Sequence, residues 1–450
     1  MANAIKIKKG LDISLMGKAP EIEVSTARSN TFGIVPDHFE GFQPRLSVQV
    51  GDRVLAGSPV LYHKKYPNLV ISSPVSGEVV EIKRGAKRKI LYVGIRADEQ
   101  IEYKPFDVSG VQQMDREVLS ELLLESGLFA LINQRPYDYV AFPGTTPRDI
   151  YVTAHFSAPL MPDALKIVEK DKKYLQLAVD ALAKLTSGKV YIGKKKGSNL
   201  DLTNCEMYEL EGPHPVGNVG VLINHTKPIN KGETVWTLSI AELALMGRFL
   251  ATGKVDYSKK IVFAGSRMAT AGYSEVLPGS DIRDLVAQKL ENNKGSIRVI
   301  DGDVLTGRKI DDDYYFLNPK SSIITAIPEG DDVHDILGWA LPGFKKYSVS
   351  RMFPTFLLGK KKTYDLDARL QGGERPIIVS NEYDKVFPFD IYPEQLIKSI
   401  ITFDIDKMEQ LGIYEVAPED FALCEFVDTS KLELQYIVRK GLDELYKEMV

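Results

Sequence analysis

The residue types that could do chemistry here are a lysine pair at a turn, two glycine-rich loops, six histidines and two cysteines. Lys64 and Lys65 stand midway in the stretch Val50 to Ile82, where two β-forming runs flank a polar tip. A lysine at the exposed end of a tight hairpin is where biotin or lipoate is attached. The tip "YHKKYPNLV" lacks the Met-Lys-Met of biotin acceptors and the acidic-then-Lys-Ala context of lipoyl ones. A framework piece is therefore expected, its Tyr62 to Asn68 tip free to meet a neighbour, since a fold alone does not confer function.

A phosphate loop needs glycines between a strand and a helix, so that backbone N–H groups reach the ligand unobstructed. "GKKKG" follows a strand-like run but opens no helix, and "GPHPVGNVG" reads as leading into a strand, "VGVLIN". Neither the dinucleotide fingerprint nor the Walker pattern occurs. Cys205 and Cys424 form no Cys-x-x-Cys, which excludes a zinc or iron–sulfur site built on cysteines of this chain. No two of His38, His63, His155, His214, His225 and His334 are spaced i, i+4, so a metal site has little support. His155, in an apolar run, is expected in the core, and His214, between two prolines, in a rigid turn. Gly-x-Ser-x-Gly hydrolase elbows are absent.

The elements that must position any site follow from periodicity. A chain of 450 residues exceeds one core and splits into several domains. Up to about residue 100 the pattern is strand and turn, with Gly51-Asp52, Gly57-Ser58-Pro59, Ser73-Pro74 and Ser76-Gly77 as punctuation. Val118, Leu119, Leu122 and Leu123 then lie on one helix face that Gly127 stops. "IYVTAHF" and "KVYIG" read as strands around a helix carrying Leu175, Ala178, Val179, Leu182 and Leu185. Ser239 and Glu242 form a capping box opening "IAELALMGRFLAT". Alternating strands and helices argue a Rossmann-like layer. From Lys259, a strand, a short helix capped by Ser280 and returning strands suggest a β-grasp, followed by helices, the first with Pro393 in its first turn.

Net charge is −4, and the clusters Lys194–Lys196 and Lys360–Lys362 are short, so they read as solvated loops and no nucleic-acid partner is expected. No apolar window approaches the roughly 20 residues that cross a bilayer, and the N-terminus lacks a signal-peptide core.

"IKIKKGLDISLMGKAP", "RGAKRK", "NQRPYDYVA", "VWTLSIAELALMGRFLATG", "LPGSDI", "GGERPIIVSNEYDKVFPFDIYPEQLIKSI" and "EDFALCEFV" occur in this order. In this the whole chain resembles the A subunits of the sodium-translocating NADH:quinone oxidoreductases, the Nqr complexes. More distantly it resembles the complex I subunit that binds FMN and NADH, and the C subunit of the Rnf complex. In those relatives a glycine-rich loop holds FMN and NADH, and cysteine clusters hold iron–sulfur centres. Here the corresponding segment "GLFALINQRPYDYVAFPG" carries bulky residues, and only Cys424 remains in "LCEFV".

The resemblance implies a multidomain α/β and α+β chain. It comprises a barrel-sandwich hybrid (1–100), a Rossmann-like α/β domain (101–256), an SLBB-like β-grasp (257–327) and a mostly helical C-terminal domain (328–450). It implies a cofactor-free subunit, peripheral on the cytoplasmic face of the bacterial inner membrane and without a transmembrane segment. NADH, FAD, FMN, riboflavin and iron centres would belong to the other subunits of the complex, B to F. The complex would oxidise NADH, reduce quinone and export sodium, and the isolated chain would be inactive. For a contact with ubiquinone, Asn133, Arg135, Tyr137, Tyr139 and Phe142 form a suitable set, though an interface with another protein is the preferred reading. The alternative is a free-standing flavin-dependent NADH dehydrogenase, which the missing glycine loop opposes.

Overall fold

The first strand leaves the barrel-sandwich segment that precedes residue 100. β1 (Asn3–Lys6) pairs in parallel with Glu206–Glu211, and Ile5 is buried between exposed Ala4 and Lys6. The computed structural model describes residues 3–291, 295–331, 346–349, 355, 357 and 362–449; His334, Lys360 and Lys361 lie outside them.

The barrel-sandwich hybrid follows: β2 (Thr31–Ile34), β3 (Pro44–Leu46), β4 (Arg53–Val54), β5 (Pro59–His63), β6 (Val70–Ser72), β7 (Gly77–Arg84) and β8 (Ile90–Ala97). These strands form a four-stranded sheet, β2-β8-β7-β4, and a three-stranded sheet, β3-β5-β6. Phe32, Val54, Val79 and Val93 of the first share a core with Val60, Leu61 and Ile71 of the second. The β5–β6 hairpin forms as its turn residues dictate, but its tip is not wholly free. His63 Nδ1 accepts from the Lys65 and Tyr66 amides (3.1 Å each), and the Tyr66 ring stacks on Phe142 at 5.2 Å. Lys64, Lys65, Pro67 and Asn68 stay exposed.

The α/β layer comprises α1 (Arg116–Ser126), β9 (Asn133–Arg135), β10 (Tyr139–Val140), β11 (Ile150–Ala154), α2 (Ala164–Ile167), α3 (Leu175–Leu185), β12 (Val190–Lys195), β13 (Glu206–Glu211), α4 (Val219–Thr226), β14 (Val235–Ser239) and α5 (Ile240–Thr252). Asp115 caps α1 through the Val118 amide, and Gly127 ends it at φ 79°, a left-handed position. A Cβ there would also strike Ser72 Oγ at 2.5 Å, so the helix stop doubles as the seam with the barrel sandwich. "VGVLIN" is helix, not strand: it lies in α4. Short apolar runs do not distinguish the two, and α4 is the crossover joining the parallel strands β13 and β14.

The β-grasp contains β15 (Lys259–Ala264), β16 (Gly272–Val276), α6 (Ile282–Val286), β17 (Ile297–Asp301), β18 (Arg308–Lys309) and β19 (Ile323–Pro328), with sheet order β16-β15-β19-β17-β18. Asp281, not Ser280, caps α6: its Oδ1 accepts from the Arg283 amide, while Ser280 Oγ donates to Leu277 O. The last helices are α7 (Tyr383–Val386), α8 (Pro393–Thr402), α9 (Ile405–Gln410), α10 (Ala422–Val427) and α11 (Leu434–Met449). They pack on α4, whose Val221, Leu222 and Ile223 share a core with Phe421, Leu434 and Val438.

Candidate functional site

The central sheet runs β1-β13-β12-β11-β14-β9-β10, and its first five strands are parallel. From β11 the chain builds β12 and β13 outward on one side, then crosses through α4 to place β14 on the other. Crossovers that leave in opposite directions open a crevice at the carboxyl ends of the strands, where ligands of α/β sheets bind. A cavity of about 280 Å³ occupies that crevice.

Its walls come from every module except the barrel sandwich. The strand ends supply Thr153 on β11, His155 just after it, and Thr237 and Ser239 on β14. The loop into α4 supplies His214, Gly217 and Asn218; the β-grasp adds Asp303, Thr306 and Lys320; Glu419 comes from the C-terminal domain. Leu131, Phe156, Met161, Val219 and Leu238 make the apolar part. The Lys320 ammonium donates to Asn133 Oδ1, whose Nδ2 donates to Asp138 Oδ1 at 3.3 Å. Burial lowers the Lys320 pKa against the pull of Glu242, Asp138 and Glu40. Glu242 Oε2 accepts from the Ser239 amide (2.7 Å), completing the capping box at the mouth of α5. Burial and the Asp420 carboxylate raise the Glu419 pKa, and Arg135 opposes them. The cavity thus offers donors (Lys320, the Asn133 amide, His155) and acceptors (Asp138, Glu242) around an apolar wall.

Both histidines assigned to bland roles line this cavity. His155 sits just past the end of β11, half-buried rather than in the core, with its pKa lowered to about 4 chiefly by desolvation. His214 is buried in its turn, Nδ1 3.0 Å from Ser157 Oγ, which also accepts from the Gly217 amide.

The five residues of the "NQRPYDYVAFPG" set separate. Asn133 reaches the cavity wall. Arg135 is fully buried and holds the C-terminal domain, donating to Glu415 O (2.6 Å), Asp420 (2.9 Å) and Glu419 (3.1 Å). Tyr137, Tyr139 and Phe142 are buried with Tyr446 of α11, Tyr139 edge-on to it at 5.0 Å, and Tyr139 Oη donates to Asp443. Four of the five are thus an internal junction, and the fifth is carried on its edge. Lys320, Glu242, Asp303 and Glu419 escaped the sequence reading, because they come from three distant segments. Only Glu242 carried a signal, and that signal was a helix cap.

The structure also shows how the phosphate-loop geometry is used. Gly212 and Gly217 do lie between a strand and a helix, and Gly220 in the first turn of that helix, contrary to the expected strand, but internal contacts occupy them. A Cβ on Gly217 would meet His155 O at 2.1 Å, and one on Gly220 would meet Asp420 Oδ1 at 2.5 Å. The first turn of α4 therefore faces the chain's own Arg135–Asp420 ion pair, which fills the place a phosphate would take. The segment after α1 is closed as well. Leu128 to Ile132 are all buried, with Phe129 edge-on to Trp236 at 5.3 Å, so a flavin phosphate finds no bare backbone there. Among the described residues, no group of three or more His, Cys, Asp or Glu side chains could hold a metal ion.

Comparison with known proteins decides the family. Family models described as the NqrA N-terminal barrel-sandwich hybrid domain, the NqrA second alpha/beta domain and the NQRA C-terminal domain match residues 5–98, 114–255 and 261–312. The chain is 32% identical over 98% of its length to the A subunit of the Na(+)-translocating NADH-quinone reductase of Rhodopirellula baltica, and covers 98% of that protein. It is 30% identical to the same subunit of Photorhabdus laumondii and 31% identical to that of Vibrio atlanticus, over 99% of this chain and 100% of each relative. The chain belongs to the NqrA family, the A subunits of Na(+)-translocating NADH-quinone reductases. Family members are parts of an enzyme that passes electrons from NADH to quinone, and the barrel-sandwich, α/β and SLBB modules described above are the family's own. Among the described residues, no helix is long and apolar enough to cross a membrane.

Proposed function

We propose that this chain is a cofactor-free subunit on the cytoplasmic side of a membrane-bound, sodium-exporting NADH:quinone reductase, docked on the other subunits. Its four modules divide near residues 100, 256 and 327. NADH, the flavins and iron are held by other subunits, and this chain shapes the quinone end of the reaction. The observation that carries the quinone assignment is the cavity at the strand switch, with Lys320 and Asn133 poised on its wall. A quinone carbonyl accepts from Lys320, from the Asn133 amide or from His155, and the ring lies against Leu131, Phe156 and Met161. A quinol hydroxyl donates to Asp138 or Glu242. Arg135, Tyr137, Tyr139 and Phe142 act one step back, fixing the wall that carries Asn133.

A photoreactive quinone on the assembled complex tests this. Labels are expected at Asn133, Asp138, Lys320 or between His155 and Met161; a complex labelled only on other subunits contradicts it. The subunit role has its own test. Tagged protein pulled from solubilised membranes should bring the remaining subunits and sodium-dependent quinone reductase activity. Recovery as a lone active enzyme with a flavin absorbance band would refute the role.

A further inference from the structure

We propose that the tip of the β7–β8 hairpin docks the chain on an anionic phospholipid surface. This rests on the reading of the chain as a membrane-peripheral subunit. Residues 83–89, Lys-Arg-Gly-Ala-Lys-Arg-Lys, hold five cations and no carboxylate in a chain of net charge −4. All five side chains are exposed. β2 accompanies β8 only as far as Val93, and β4 accompanies β7 only at Gly77 and Glu78. Beyond them, where Lys83 faces Tyr92 and Arg84 faces Ile90, the hairpin runs on as a two-stranded arm.

The arm is stiff. At its base the Tyr92 ring meets Phe316 edge-on at 5.0 Å, and its hydroxyl lies 3.1 Å from Tyr315 Oη. At its tip the Lys89 amide donates to Ala86 O, with Lys87 (φ 52°) and Arg88 (φ 62°) both left-handed between them. A turn of this hand folds without strain as Asn-Gly. Here its two central positions hold long cations instead, and strain of this kind is kept where function requires the side chain.

Most of this charge has no carboxylate against it. Lys89 pairs with Asp37 (2.6 Å), and Arg84 Nη1 donates to Arg88 O. Among the described residues, no carboxylate pairs with Lys83, Lys87 or Arg88. The acidic run Asp311 to Asp313, on the loop beside Tyr315, is exposed; Asp311 accepts from the Asp313 and Tyr314 amides, and among the described residues no carboxylate of the run pairs with a cation of the tip. A nucleic-acid track would need aromatics interleaved with the cations, and residues 83–91 contain none. An exposed point of positive charge at the end of a two-stranded hairpin, on an otherwise acidic chain, fits a plane of phosphates. The enzyme to which family members belong translocates sodium, so such a plane is at hand, and the tip would orient the chain on it.

The test is cosedimentation of the full chain with vesicles of phosphatidylglycerol and phosphatidylcholine, against phosphatidylcholine alone. Binding is expected only with phosphatidylglycerol and is expected to vanish in high salt. The K83Q/K87Q/R88Q variant should bind about a hundredfold more weakly. K194Q/K195Q/K196Q, altered in a cluster that is engaged with Glu211 and backbone carbonyls, should bind as the unaltered chain does. If the triple variant melts early, K83Q alone, in a strand, should still lose about fivefold. No binding to phosphatidylglycerol, equal binding by the tip variants, or binding of RNA in place of vesicles would each overturn the proposal. A chain that binds vesicles yet recovers no partner subunits sinks the subunit role and leaves the tip standing.

Discussion

Arg135 is the residue whose loss should be felt most widely. Its guanidinium joins β9 to the C-terminal domain with both charges of the Arg135–Asp420 pair out of water. Removing one partner of such a pair leaves the other buried and uncompensated, which costs about 3–5 kcal/mol. Arg135→Met should lower the urea midpoint accordingly, and R135K should recover part of it, because lysine cannot reproduce the planar fork that reaches three acceptors. His214 carries a pH dependence of definite sign. Its pKa falls from 6.5 to about 4 on folding, chiefly by desolvation, with Asp12 and Asp303 opposing. The unfolded chain therefore binds more protons between these values. Stability is present above pH 6.5 and is lost as pH falls toward 4. In His214→Asn the drop in melting temperature between neutral pH and pH 5 should be smaller, and an unchanged drop would deny the histidine this role.

At the scale of the element, the strongest sequence signals were local ones. Gly127 ends α1, Pro393 opens α8, and the Ser239–Glu242 box opens α5, each through chemistry contained within a few residues. Ser239→Ala should cost about 1 kcal/mol in thermal unfolding. The Glu242 bond to the backbone amide of residue 239 is kept in this variant. What sequence could not resolve was α4, where a short apolar run fits either a strand or a helix and topology decides. The loop into it kept the glycines of a phosphate cradle for a different purpose. Gly220→Ala should therefore cost about 1–3 kcal/mol through its collision with Asp420 and Arg135, measured by urea unfolding. An Ala variant as stable as the original would mean that the packing argument is wrong.

At the scale of the molecule, the order of modules could be read from turn chemistry, period changes and resemblance, because apart from β1, which joins the sheet of the α/β layer, each module is built from contiguous chain. The site could not, because it is assembled where four distant segments converge. "NQRPYDYVAFPG" stands out for its aromatics and arginine; the aromatics join the α/β layer to α11, and Arg135 joins it to the segment Glu415 to Asp420. The lysine on the cavity wall, Lys320, lies in a β-grasp loop with no motif around it. The decisive measurement is quinone reduction by the assembled complex carrying Lys320→Met or Asn133→Ala, alongside NADH oxidation by an artificial electron acceptor. Losing one charge-assisted hydrogen bond to the head group should raise the KM for quinone by about tenfold or more. Assembly and NADH oxidation by the artificial acceptor should be unaffected. A fully assembled variant complex whose KM for quinone is unchanged would contradict a quinone site in this chain.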